Sequence, residues 1–136
     1  MRLLELVKTL VTTDEVLNTA KAFGQSIGKE TVVAKDAPGF IVNRLLTPFM
    51  LEAMRLLEMG FATKEDIDKA VKLGLNFPMG PFELGDLVGL DTAYFIANSM
   101  YNELYDTKFA APVLLKKMVA ARHFGRKTGR GFYEYK

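Results

Sequence analysis

A carboxylate stands inside an apolar run near the start of this sequence, and such a residue can hold or move a proton. Glu5 interrupts Leu3-Leu4-Glu5-Leu6-Val7. Burying a carboxylate without a partner is costly, so a partner is expected if the side chain points inward. The other interpretation is that Glu5 points outward from an edge strand. The local pattern leaves both open.

An amide occupies a similar position further along. Asn43 and Arg44 stand at the start of the longest apolar helical pattern, after the rigid Pro38-Gly39 turn. An amide at such a place can donate a hydrogen bond to a carbonyl or an oxyanion. An ordinary polar residue in the first turn of a helix would look the same.

Several kinds of site are excluded or weakly supported. The chain has no cysteine and a single histidine, His123, so neither a thiolate site nor a zinc site is predicted. His123 reads as a surface or helix-end residue. No G-x-G-x-x-G follows a predicted strand, and Gly125-x-x-x-Gly129-x-Gly131 opens no helix, so it predicts a turn.

The ten residues Phe77–Asp86 form an unusually stiff apolar segment. They contain two prolines, two glycines and two phenylalanines. Such a segment either closes a hydrophobic core or lines a surface for a ligand or partner. The residues alone favour neither.

Charge is distributed unevenly over the 136 residues. The whole chain holds 18 Lys and Arg against 16 Asp and Glu, but the segment Lys116–Lys136 holds seven against one. That basic end is either a solvated helix terminus and tail or a contact for an anion such as a phosphate. Residues 1–115 are net acidic and contain no recognition helix, so a nucleic-acid binder is disfavoured.

Turn and capping signals divide the chain into helices with little strand. A weak strand is predicted within residues 1–10, and no apolar run reaches the roughly 18 residues of a membrane span. The short, interrupted N-terminus does not read as a signal peptide, and the absence of cysteine suits a reducing compartment, so the cytoplasm is expected. The first predicted helix is capped by Thr12 and Glu15 and ends at Gly28; an extended piece over 30–34 and a turn over 36–39 follow it. The next helices are predicted over 40–59, kinked or broken at Pro48, and over 64–73, capped by Thr63 and Asp66. A short helix over 82–88, a helix capped by Asp91 that runs to 105, a helix from Pro112 to 124, and a turn with a short extended end over 125–136 complete the chain.

Three segments, read together, resemble the signatures of one enzyme family. Asp36-x-Pro-Gly-Phe-Ile-Val-Asn-Arg-Leu-Leu46 resembles the helix-opening motif of the 3-hydroxyacyl-CoA dehydrogenases. Pro78-Met-Gly-Pro-Phe-Glu-Leu-x-Asp-x-x-Gly-Leu-Asp91 is similar to their second signature, and Phe124-Gly-x-Lys-Thr-Gly-x-Gly-Phe-Tyr133 to their C-terminal one. The three occur in the family's order and span nearly the whole chain. The likeness is strongest to the short-chain, bacterial 3-hydroxybutyryl-CoA dehydrogenase type.

The resemblance implies an all-α fold. It predicts a multi-helix C-terminal domain like that of the 6-phosphogluconate dehydrogenase-like enzymes, with a long central helix and short extended ends. Residues 1–136 would be this single domain, which completes the substrate site and forms a homodimer, and residues 1–10 would be the remnant of a linking strand. The family's N-terminal Rossmann domain would be absent.

The resemblance also implies roles for two residues. The family's glutamate, which orients and charges a catalytic histidine, matches Glu5, and its asparagine near the reacting oxygen matches Asn43. The histidine lies in a His-Phe-Phe-Asn-Pro motif that would fall before Met1, and His123 does not match it. A serine contributed by the Rossmann domain would be missing too. No cofactor-binding or metal-binding residue is expected in this chain.

The implied reaction is hydride transfer between NAD or NADP and C3 of a 3-hydroxyacyl-CoA, which gives a 3-ketoacyl-CoA. A short substrate such as 3-hydroxybutyryl-CoA is expected. The chain by itself is expected to be inactive and to bind no NAD tightly, since the fingerprint and the histidine are missing. The partners implied are a second copy and, in the full-length enzyme, the acyl-CoA; no nucleic acid or membrane is expected. The alternative is a helical dimerisation or interaction module without catalysis.

Overall fold

The computed structural model describes all residues from Met1 to Lys136. Six α-helices and a sheet of only two strands make up the chain, so the predicted all-α class is confirmed. None of the helices is long and apolar enough to cross a lipid bilayer. In chain order the elements are β1 (Leu3–Lys8), α1 (Asp14–Ser26), β2 (Glu30–Lys35), α2 (Val42–Glu58), α3 (Lys64–Gly74), α4 (Pro81–Val88), α5 (Leu90–Leu104) and α6 (Val113–Ala120), with 3₁₀ turns at Thr107–Phe109 and Arg126–Thr128.

The contacts divide the chain into two compact units, Met1–Arg44 and Leu45–Lys136. This division differs from the expected single domain with a strand remnant over residues 1–10. The difference arises because β1 pairs in parallel with β2 along its whole length, so everything through residue 35 forms one β-α-β arrangement. The first unit is therefore more than a linking strand.

In the first unit, α1 packs closely on the two-stranded sheet. Gly24 makes this approach possible, since a Cβ there would lie 2.5 Å from Thr31 Cγ2. The helix is capped by Thr13, whose hydroxyl accepts the N–H of Val16, and not by Thr12 as predicted. Thr12 is unavailable because its hydroxyl oxygen accepts the N–H of Thr9 within the preceding turn.

The second unit contains the large hydrophobic core. Side chains from α2, α4, α5 and α6 meet there and exclude water, as the apolar stripe on the long helix predicts. Helix α2 is continuous through Pro48, so the break expected there is absent. The fully buried core side chains include Leu51, Met54, Phe82, Leu90, Met100, Phe109 and Leu115.

The stiff segment Phe77–Asp86, which contains the start of α4, closes this core. Phe82 and Pro81 are fully buried, and Phe82 meets the ring of Phe132 at 4.6 Å between centroids. Asp68 of α3 supplies the N-terminus of α4 with acceptors, since its carboxylate takes the N–H groups of Phe82 (2.9 Å) and Glu83 (3.2 Å). Burial nevertheless raises the pKa of Asp68 above its ordinary value.

A second buried carboxylate, Asp86, holds the C-terminal tail. It accepts the N–H groups of Phe132 and Tyr133 at 2.9 and 2.8 Å and the hydroxyl of Tyr135 at 2.9 Å. The tail fits against it only because two glycines are present. A Cβ on Gly131 would lie 2.0 Å from Asp86 Oδ1, and one on Gly125 would lie 2.3 Å from the Asp86 carbonyl oxygen.

The second and third signature segments, 78–91 and 124–133, thus contact each other. Besides the Asp86 contacts, Lys127 Nζ lies 2.6 Å from Asp91 Oδ2. Asp91 is therefore paired with the tail and does not cap α5; that helix is preceded by Gly89, whose φ of +101° suits glycine alone. The predicted turn over the C-terminal glycines is confirmed, with Arg126–Thr128 forming one 3₁₀ turn.

Substitution of Asp86 tests how far the tail depends on it. Asp86→Ala removes the acceptor of two backbone N–H groups and leaves them buried, so we expect the free energy of unfolding to fall by about 2–4 kcal/mol. Asp36→Ala is the matched control, because Asp36 is exposed and its carboxylate accepts no hydrogen bond; it should change the value by less than about 0.5 kcal/mol. Urea unfolding curves that coincide for the two variants would contradict the assignment.

Alkaline pH should loosen the same region. Burial, and then the hydrogen bond to Asp86, raises the pKa of Tyr135 from 10.0 to about 12. Between these values the unfolded chain has released a proton that the folded chain retains, so stability is complete below pH 10 and declines toward pH 12. Tyr135→Phe removes this titration. Unfolding free energies measured across that range should therefore fall less steeply in the variant, and equal slopes would refute the pairing.

Candidate functional site

Glu5 lies in the middle of β1, opposite Val32 of β2, and its side chain is half-buried. Its carboxylate reaches the start of α2, where Oε1 accepts the N–H of Ile41 at 2.8 Å and that of Val42 at 3.2 Å. The partner expected for a carboxylate in an apolar run is therefore a pair of backbone N–H groups, and Glu5 does not simply point outward.

The position also suits the charge. The first N–H groups of a helix have no acceptor inside the helix, and the N-terminus carries a partial positive charge. Helix α2 has no acidic residue in its own first turn. Glu5 supplies the missing negative charge from a strand more than thirty residues earlier in the chain.

A tight turn delivers the two N–H groups to Glu5. The Phe40 N–H donates to the Ala37 carbonyl at 3.0 Å, with Pro38 second and Gly39 third in the turn. Gly39 has a φ of +80°, which is the pattern of a type II turn. The predicted Pro-Gly turn is thus present, and it ends where α2 begins.

Asn43 occupies the first turn of α2, next to Val42. Its side chain is exposed and forms no hydrogen bond within the chain, so its amide is available to a ligand. The structure therefore brings both predicted residues, Glu5 and Asn43, to the N-terminus of one helix. Their catalytic roles remain predictions.

The two oxygens of the Glu5 carboxylate differ in their surroundings. Both hydrogen bonds end on Oε1. Oε2 has no donor within the chain and can accept one more hydrogen bond. A carboxylate held in this way can orient a donor such as an imidazole N–H.

The other candidate groups do not add to this arrangement. His123 follows α6 in the second unit, and its imidazole forms no hydrogen bond or ion pair. No cluster of three or more His, Asp or Glu side chains that could hold a metal ion is found.

The turn after β1 lacks the glycine-rich form of a pyrophosphate site. In a Rossmann unit the turn after the first strand contains glycines that let the pyrophosphate approach the backbone. Here the turn between β1 and α1 contains Thr9-Leu10-Val11-Thr12, and the hydroxyls of Thr9 and Thr12 lie 2.9 Å apart and bind each other.

Sequence reasoning found Glu5 and Asn43 but missed what fixes the glutamate. The backbone N–H groups of Ile41 and Val42 have no signature of their own. The available signal is the Pro38-Gly39 pair directly before a helix without an acidic first turn, which indicates an uncapped N-terminus in need of an outside acceptor.

Two family models match the chain, one after the other. The model described as "3-hydroxyacyl-CoA dehydrogenase, NAD binding domain" matches residues 1–37. The model described as "3-hydroxyacyl-CoA dehydrogenase, C-terminal domain" matches residues 39–135. Their boundary falls in the turn between β2 and α2.

Curated relatives align with the whole chain or nearly so. The mitochondrial hydroxyacyl-coenzyme A dehydrogenase of Sus scrofa is 50% identical over 137 residues, covering 100% of this chain and 44% of that protein. The 3-hydroxybutyryl-CoA dehydrogenase of Mycobacterium tuberculosis is 49% identical over 134 residues, covering 98% of this chain and 47% of that protein. The chain thus spans less than half the length of these relatives.

Solved structures share the fold. The (S)-3-hydroxybutyryl-CoA dehydrogenase of Ralstonia eutropha matches with a TM-score of 0.96 and 43% identity, covering 100% of this chain and 48% of that one. The 3-hydroxybutyryl-CoA dehydrogenase of Escherichia coli matches with a TM-score of 0.94 and 38% identity, covering 99% and 29%. With two family models that follow each other across residues 1–135, the chain belongs to the 3-hydroxyacyl-CoA dehydrogenase family.

Proposed function

We propose that this chain forms part of a longer NAD- or NADP-dependent enzyme that interconverts 3-hydroxyacyl-CoA and 3-ketoacyl-CoA, with a short acyl chain such as 3-hydroxybutyryl. One observation carries the proposal. The Glu5 carboxylate is held by Oε1 at the N-terminus of α2, next to the unpaired amide of Asn43. Relatives named for 3-hydroxybutyryl-CoA support the short acyl chain.

In this proposal Glu5 orients the family's catalytic histidine. Oε2 accepts one imidazole N–H, which fixes the tautomer and leaves the other ring nitrogen to exchange a proton with the 3-oxygen of the substrate. The negative charge of Glu5 also stabilises the imidazolium that forms when the ring takes that proton. The two backbone hydrogen bonds on Oε1 keep the carboxylate in place during this exchange.

Asn43, in this proposal, acts on the substrate oxygen instead of on the histidine. Its amide N–H₂ donates a hydrogen bond to the 3-oxygen, which steadies the oxygen as its charge changes. The nicotinamide, when bound, supplies the hydride chemistry at C3. The turn after β1 lacks the glycines of a pyrophosphate site, so binding of the pyrophosphate is assigned to the remainder of the longer protein.

An assay of a hybrid protein tests the proposal. The N-terminal part of the Mycobacterium tuberculosis relative, up to the aligned region, is joined to this chain, and NADH absorbance is followed with acetoacetyl-CoA. We expect turnover from the hybrid and none from the 136 residues alone. Glu5→Gln in the hybrid should lower kcat by at least about 100-fold, because a neutral amide cannot stabilise the imidazolium.

The matched control is Glu15→Gln, the same change at an exposed position of α1. It should leave kcat within about twofold, since exposed positions away from a site are usually neutral. Turnover by the 136 residues alone, or equal kcat values for the two variants, would refute the proposed roles. A folded but inactive hybrid would favour an interaction module without catalysis.

We also propose that the second unit forms a homodimer. The stiff segment Phe77–Asp86 supplies little of the surface for such a dimer, because its residues Pro81 and Phe82 are buried within their own unit. The support comes from large apolar side chains that the unit leaves uncovered. Phe61, Leu73 and Phe95 are exposed by 76%, 76% and 73%.

Light scattering at micromolar concentration tests the dimer, which would have twice the 15.2 kDa mass of the chain. Phe95→Glu, on α5, should shift the mass toward that of a monomer, because it places a charge on the apolar surface of the second unit. Phe23→Glu is the matched control, since Phe23 is 63% exposed but lies in the first unit. A monomeric parent chain, or equal effects of both variants, would contradict the proposal.

The cytoplasm remains the proposed compartment. The absence of cysteine suits a reducing environment. Several relatives are named as mitochondrial proteins, while those of Mycobacterium tuberculosis are not. Detection of the tagged full-length protein in fractionated cells addresses this point directly.

A further inference from the structure

Phe40 has a backbone conformation that aromatic residues rarely adopt. Its φ is +46°, in the left-handed region, directly after Gly39 at +80°. Only glycine enters this region freely, because in other L-residues the Cβ approaches the following carbonyl oxygen. A strained residue of this kind persists only where its surroundings hold it in place.

Hydrogen bonds hold the backbone in place on both sides of Phe40. Before it, the turn is closed onto Ala37, and the Arg44 N–H donates to the Gly39 carbonyl at 3.1 Å. After it, the N–H groups of Ile41 and Val42 converge on Oε1 of Glu5. Successive N–H groups that point at one oxygen are a common anion-binding arrangement, and a left-handed residue is what turns them together.

The ring of Phe40 contributes less to this region than the backbone. The residue is 41% exposed, and its ring takes part in no aromatic or cation–π contact. Its backbone angle, by contrast, sets the direction of the two N–H groups that follow. The backbone angle, not the ring, is therefore the property that matters for Glu5.

We propose that Phe40 is a positioning residue for Glu5: its left-handed backbone aims two N–H groups at Oε1 and thereby leaves Oε2 facing the catalytic histidine. The proposal rests on the function proposed above for Glu5. It assigns to Phe40 no contact with substrate or cofactor. Because both hydrogen bonds end on one oxygen, the other oxygen keeps one direction relative to the start of α2, whichever of the two equivalent oxygens it is.

A matched pair of variants isolates the backbone from the ring. Phe40→Gly and Phe40→Val both remove the ring, but glycine enters the left-handed region freely while a β-branched residue is strongly disfavoured there. In the 136-residue chain, hydrogen exchange of the Ile41 and Val42 amides, followed by NMR, should be about 5- to 30-fold faster in Phe40→Val than in Phe40→Gly. The amides of Leu51 and Met54, inside α2, should exchange equally in both.

A third change shows whether the effect acts through Glu5. With Glu5→Ala present, both amides lose their acceptor, and the difference between the glycine and valine variants should disappear. If Phe40→Val does not fold, Phe40→Asn and Phe40→Thr give the same comparison, since asparagine tolerates the left-handed region and threonine does not. Equal exchange within the pair, or a difference that survives Glu5→Ala, would overturn the proposal.

The hybrid enzyme supplies the catalytic readout. Phe40→Gly should retain kcat, whereas Phe40→Val should lower it by a similar 5- to 30-fold with KM unchanged. If the exchange experiment succeeds and the hybrid is inactive in every form, the positioning of Glu5 stands and the proposed function fails. If the hybrid is active but both variants have equal kcat, the positioning role is overturned.

Discussion

A carboxylate that is removed from water on folding needs hydrogen-bond donors to offset the lost hydration, and for three carboxylates of this chain those donors include backbone N–H groups. Glu5 accepts two at the start of α2, Asp68 accepts two at the start of α4, and Asp86 accepts two in the C-terminal tail. In each case the acceptor and donors are distant in sequence. These contacts fix where two helices begin and where the tail runs, and they also satisfy the buried charges.

Much of the fold follows from local patterns. The long apolar stripe of α2 and the Thr63 cap of α3 are both read correctly from the residues, since each depends on neighbours within one or two turns. The errors arise where a distant group competes for a side chain. Thr12 accepts a hydrogen bond from Thr9, and Asp91 accepts one from Lys127, so neither side chain caps the helix predicted for it. A single sequence does not reveal such competition.

The two candidate site residues could be selected from the sequence, but the geometry around them could not. Glu5 and Asn43 stand out because their types are unusual in their surroundings, and the family motifs point to the same two positions. That both N–H groups meet one carboxylate oxygen goes with the left-handed backbone of Phe40, which has no counterpart in composition or spacing. The glycines of the last signature illustrate the reverse case. Gly125 and Gly131 are conspicuous in the sequence, yet the reason for them is the buried carboxylate of Asp86, which no local pattern identifies.

The boundary between the two family models, at residues 37 and 39, separates Glu5 from the N–H groups that it binds. Recombination between related genes at this point would take the carboxylate from one parent and the donors from the other. Because the donors belong to the main chain, the contact uses no side chain of Ile41 or Val42. A second parent that preserves both the Pro-Gly turn and the left-handed residue after it would restore the cap on α2. The boundary is therefore a place where halves of different ancestry can be joined without loss of the backbone donors to Glu5.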